Sequence, residues 1–111
     1  MNENNLMAIR YFLEEYDFFK DHREGVDFKA TIEYTESHLK KEASVLINKG
    51  NSNYGQIDLI SNEFDSDDVH KGFSPKYQTY KFDNKTKSLI IKGTSYKDRQ
   101  PYTVIITPLL N

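Results

Sequence analysis

The residues able to do chemistry are few and scattered. Three histidines, His22, His38 and His70, are the only side chains whose ordinary pKa suits proton transfer near neutrality. His22-Arg23-Glu24 has the H-x-E spacing of a zinc deaminase, but the chain contains no cysteine to complete that metal site. His38 and Glu42 could meet only across a helical turn, and His70 lies in an acidic segment, where a raised pKa would be functionally silent. Asp65-Ser66-Asp67-Asp68 begins like a calcium loop, yet Val69 and Lys76 stand where its fifth and twelfth ligands belong. An exposed acidic loop is the simpler reading.

The five glycines, at 25, 50, 55, 72 and 93, open no phosphate loop and no dinucleotide fingerprint. No serine sits in a nucleophile elbow. Asn84-Lys85-Thr86 matches a glycosylation sequon, which is silent in a cytosolic protein. The expectation is a protein with no catalytic residues, no cofactor and no metal.

Charge is more informative. The net −2 conceals a split: residues 1–25 carry −3, residues 26–75 carry −4, and residues 76–111 carry +5. Such asymmetry points to an anionic partner or to self-association. The basic third also holds rings. Lys81, Lys92, Lys97 and Arg99, with Tyr77, Tyr96 and Tyr102, form a candidate partner-binding set. Charge attracts carboxylates or phosphates, and rings grip apolar side chains or bases. The plainer alternative is a solvated hairpin whose lysines discourage edge-to-edge pairing.

These residues need elements to hold them. Residues 5–22 have helical spacing, with Leu6, Ile9, Phe12, Leu13, Tyr16 and Phe19 on one arc and Asn4 or Asn5 available as a cap. Met7, Tyr11 and Phe18 make a second stripe, explained by burial on two sides or by a homodimer contact. Residues 26–35 alternate strictly: Val26, Phe28, Ala30, Ile32 and Tyr34 share one face of a predicted strand. Strands are also predicted at 42–49 and 54–61, joined by Gly50-Asn51-Ser52-Asn53, before an acidic and then Gly/Pro-punctuated loop over 62–76.

A turn over 84–87 sets Asp83 against Ser88, Phe82 against Leu89 and Tyr80 against Ile91, leaving Thr79, Lys81, Ile90, Lys92 and Thr94 on the outer side with Tyr77. A loop over 95–101 leads to a last strand at 102–107 that Pro108 ends. The runs Val45-Leu46-Ile47, Leu89-Ile90-Ile91 and Val104-Ile105-Ile106 are apolar on both faces, as interior strands are.

The expected fold is one α+β domain over 1–111, its N-terminal amphipathic helix packed on a curved, mainly antiparallel sheet of five to six strands. In element order alone this resembles either a cystatin- or NTF2-like wrap or a small PUA- or OB-like barrel. With 37% hydrophobic and 29% charged residues, the composition is that of an ordinary globular protein. Seven Phe and eight Tyr, with no Trp, supply the bulk of its core.

The start of the chain lacks the basic and then apolar pattern of a signal peptide, and no apolar run is long enough to span a membrane. Together with the lack of cysteine, this predicts a cytoplasmic protein. Twelve Lys against three Arg, with abundant Asn, Ile and Tyr, fits an AT-rich genome such as that of a low-GC bacterium or its mobile elements.

The expected function is regulatory or inhibitory binding of an acidic protein through the basic C-terminal face. An RNA- or single-stranded-DNA-binding regulator using that face is the alternative. Overall acidity weighs against the latter, because attraction to phosphate depends on the whole field.

Overall fold

A computed structural model describes residues 3–15, 28–48, 56–60, 78–95 and 99–108. They form one helix, α1 (Glu3–Glu15), and six strands: β1 (Phe28–Tyr34), β2 (Lys40–Asn48), β3 (Gln56–Ile60), β4 (Gln78–Asp83), β5 (Ser88–Thr94) and β6 (Pro101–Pro108). The strands make a single open sheet in the order β3-β2-β1-β6-β5-β4, and every pairing is antiparallel. Two three-stranded meanders, β1-β2-β3 and β4-β5-β6, therefore join where β1 meets β6. Among the described residues, no pairing of β3 with β4 closes a barrel. Among them too, no helix is long and apolar enough to cross a membrane.

The strict alternation of β1 places Phe28, Ala30, Ile32 and Tyr34 in the core. Registry carries that face across the sheet. Ala43, Ala30, Ile106 and Leu89 lie side by side in one row, with Phe82 at its end. Ile32, Val104, Ile91 and Tyr80 form the next. The helix covers this inner face through Ala8, Ile9, Phe12 and Leu13, all buried. The Phe12 ring centroid lies 5.2 Å from Phe28 and 6.5 Å from Phe82, both tilted, so one side chain links the two meanders from above. Glu15 Oε1 sits 3.8 Å from Lys87 Nζ, pinning the helix end near the β4–β5 turn.

The helix differs from the sequence expectation at its start. It already includes Asn4 and Asn5, so neither residue is its cap. Ala8, too small to count in a stripe of large apolar residues, shares the buried face. Met7 is half-buried and Tyr11 is exposed, while Phe18, Tyr16 and Phe19 lie outside the described residues, as do Val26, residues 50–53 and the 62–76 loop.

The β4–β5 register is the predicted one, Asp83↔Ser88, Phe82↔Leu89 and Tyr80↔Ile91. Asp83 makes the turn: its Oδ1 accepts from Lys85 N at 2.9 Å and, more distantly, from Thr86 N at 3.5 Å. Lys87 closes the turn in the left-handed region, at φ 57°. The Lys85 amide bond is the main cause holding the Asp83 carboxyl below its ordinary value of 3.8.

The assigned faces and the turn can each be tested. Ile32→Ala should lower unfolding stability by about 2–5 kcal/mol, whereas Thr31→Ala on the other face should cost under about 1 kcal/mol. Chemical denaturation of both variants checks this, and equal losses would contradict the assigned faces. Because the folded pKa of Asp83 is depressed, its contribution is fully present above pH 3.8 and is lost as pH falls through the lowered folded value. The Lys85 amide proton resonance should shift as the Asp83 carboxyl titrates over that acid range, and Asp83→Ala should abolish that shift.

Candidate functional site

The outer face of the sheet is built by the same registry that builds the core. Residues alternate across a strand, so each inward row has an outward row beside it. One outer row runs Glu42, Thr31, Ile105, Ile90, Lys81 across β2, β1, β6, β5 and β4. The neighbouring row runs Lys40, Glu33, Thr103, Lys92, Thr79 over the same strands. Lys81, Lys92, Thr79 and Thr94 are exposed, Ile90 is half-buried, and Ile105 exposes 42% of its surface. The helix lies against the opposite face, and no other described element covers this one.

Lys81 stands opposite Ile90 and Lys92 opposite Thr79. The two lysines are thus diagonal neighbours, about 7–8 Å apart at Cβ by ladder geometry. Thr79 Oγ1 reaches the Lys92 carbonyl oxygen at 3.5 Å. The chemistry available here is a pair of cations beside an apolar strip, suited to recognising carboxylates or phosphates.

Arg99 is exposed and held by its loop. Ser95 N donates to Gln100 O at 2.9 Å, Arg99 N donates to Ser95 O at 3.0 Å, and Gln100 N donates to Ser95 Oγ at 2.8 Å. Ser95 is buried, and Arg99 adopts a left-handed backbone at φ 54°. This closed loop fixes where β6 begins.

Of the predicted partner-binding residues, Lys81 and Lys92 share the outer face and Arg99 sits in the loop at its end. Tyr77, Tyr96 and Lys97 lie outside the described residues. Tyr102 does not belong with them. It is 1% exposed and on the inner face, aligned with Tyr34 and Gly93. Its parity with Val104 and Ile106 was the signal for burial, with Thr103 and Thr107 on the other side.

Tyr102 belongs to a buried polar cluster that composition alone did not reveal. Gln78 Nε2 donates to Tyr102 Oη at 2.9 Å, and the Tyr80 hydroxyl donates to Gln78 Oε1. Tyr34 meets the Tyr102 ring edge-on at 6.5 Å. Opposite Tyr102, Gly93 leaves room for the ring: a Cβ there would lie 2.5 Å from Tyr102 Oη and 2.6 Å from Cζ. The aromatic side chain fills the space that glycine leaves, and the bonds through Gln78 tie β4 to β6 across β5. That bracing holds the strands that carry Lys81 and Lys92 on their other side.

Among the described residues, no three of His, Asp and Glu converge as metal ligands would. His38 stands with its Nδ1 3.5 Å from Glu33 Oε1 at an exposed turn, not against Glu42. No family model, no curated protein and no solved structure matches the chain.

Gly93→Ala should destabilise by about 1–3 kcal/mol, since the ring it meets is hydrogen-bonded and cannot swing away. Adding Tyr102→Val should cost less than the two single losses summed, because the second change removes the clash. Thermal melts of the two singles and the double measure that coupling, and strict additivity would show that ring and backbone do not touch.

Proposed function

We propose that the chain is a small, non-enzymatic regulatory or inhibitory binding protein that docks an acidic protein on the outer face of β4, β5 and β6. The observation that carries this reading is the exposed diagonal of Lys81 and Lys92 beside Ile90 and the exposed Ile105. Charge at the rim steers and selects the partner, and the apolar strip supplies area to bury. The cytoplasm of a low-GC bacterium, or of a cell carrying its phages or mobile elements, is the setting that cysteine-free, lysine-rich composition favours. The open sheet with a helix on one face is closer to a cystatin- or NTF2-like wrap than to a closed PUA- or OB-like barrel.

The same observations favour a protein over RNA or single-stranded DNA. Nucleic-acid sheets stack bases on exposed rings, and Tyr102 is withdrawn into the core. Along the described parts of β4, β5 and β6, the outer rows carry Thr, Lys and Ile and no ring.

Reversing both lysines in Lys81→Glu/Lys92→Glu should abolish binding to the partner recovered from the native host, with circular dichroism and melting temperature nearly unchanged. Exposed strand charges add little to folding, whereas reversal at an interface adds repulsion to lost attraction. Wild-type affinity should fall gently with salt. A steep log–log slope would signal counterion release and a nucleic-acid partner. Undiminished binding by the double variant would remove this face from consideration.

A further inference from the structure

The outer face carries two cations and two carboxylates placed symmetrically about β6. On the β5 and β4 side of β6 stand Lys92 and Lys81; on the β1 and β2 side, in the same two rows, stand Glu33 and Glu42. Thr103 and Ile105 of β6 lie between the two signs. The cations and anions of each row are equally far from β6, one strand away for Lys92 and Glu33 and two strands away for Lys81 and Glu42.

We infer that this face binds a second copy of the chain about a two-fold axis running along β6. Such an axis turns one sheet over onto the other, preserves the row and exchanges the two sides. Lys92 then meets Glu33 of the second copy and Glu33 meets its Lys92. Lys81 and Glu42 meet in the same reciprocal way. Ile105 packs against its own symmetry mate, and Ile90 against Thr31.

The remaining basic residues on that side create no conflict. Lys40 comes opposite Thr79, and Lys29 faces the Ser88 end of β5. An axis across the strands would instead set each strand on its own mate, so that Lys92 meets Ser88, Ile90, Thr94 or itself and never a carboxylate. The pairing of Lys92 therefore favours the axis along β6.

Two twisted sheets packed face to face cross at about −30° and lie about 10 Å apart. That crossing leaves the columns beside β6 in register and shifts the outer ones by a few ångströms, within reach of lysine and glutamate side chains. The five strands present a face about 24 Å by 20 Å, or roughly 500 Å² per copy. The total of about 1,000 Å² is at the lower bound for a specific interface, which suits a weak, reversible dimer.

The dimer covers Lys81 and Lys92 with carboxylates of the chain's own. On the acidic-partner reading, which this consequence alone requires, dimerisation competes with the partner and sets the concentration of free binding face.

Sedimentation velocity on purified protein up to submillimolar concentration tests the dimer without any partner. The wild type should show a monomer–dimer equilibrium. Glu33→Lys and Lys92→Glu should each weaken it at least tenfold. An equimolar mixture of the two variants should restore association. One chain then carries carboxylates at both positions 33 and 92, the other carries ammonium groups at both, and every facing pair is again of opposite sign. Combining both changes in one chain should restore it too. Such rescue also shows that each single variant is folded. A wild type monomeric throughout, single variants that dimerise like wild type, or failure of both rescues would each overturn the dimer. The partner reading fails separately: Glu33→Lys should leave binding to an acidic partner intact or tighter, whereas Glu33→Lys/Lys92→Glu should dimerise yet bind that partner poorly.

Discussion

Everything in this fold hangs on the ladder between β1 and β6. Among the described strands it is the one pairing that joins the two meanders, and it sets the earliest strand beside the last. Closing it brings together segments distant in sequence before any of its seven register pairs can repay the loss of chain entropy. Once it forms, Ala30 and Ile106 share a row with Leu89, and Phe12 has both Phe28 and Phe82 to pack on. Without it the helix, which lies over β4 and β5, loses the Phe28 ring that Phe12 packs on.

That ladder also assembles the outer face. Lys81 and Lys92 belong to the second meander, and Glu33 and Glu42, with Lys29 and Lys40 beside them, to the first. Their juxtaposition on one surface exists only because β6, not β5 or β4, lies next to β1. Residues far apart along the chain thereby share rows of one sheet, two carboxylates on one side of β6 and two ammonium groups on the other. The inner side reinforces the geometry. Gln78, Tyr80 and Tyr102 span three strands with hydrogen bonds, so the strands bearing Lys81 and Lys92 are braced from behind.

Much of this was legible in the sequence wherever the signal is local. The period-two pattern of β1 reports its faces directly, because one side meets apolar groups and the other meets water. The β4–β5 register follows from a turn whose length and Asp83 leave little choice, and the diagonal of Lys81 and Lys92 comes with it. The three runs apolar on both faces do occupy interior strands, β2, β5 and β6. Strand order was not legible, since pairing between distant segments leaves no local pattern. The burial of Tyr102 was legible only in part. A tyrosine near lysines suits a binding surface as well as a core; parity with Val104 and Ile106 pointed inward, and the glycine that makes room for the ring is known only from the register. Asn4 and Asn5 suited a cap by type, yet type alone does not say where a helix begins.

The close approach of Tyr102 to Gly93 has a magnetic consequence. An aromatic ring this near a backbone displaces the resonances of the protons beneath it. One Gly93 α-hydrogen occupies the direction of the missing Cβ, whose ideal position is 2.6 Å from Tyr102 Cζ. Its chemical shift should therefore stand apart from those of the other glycines. The chain contains no tryptophan to serve as an optical reporter. That single line in a proton–carbon spectrum reports instead whether β5 and β6 remain registered beneath their rings, while the opposite face of the same two strands is altered at will.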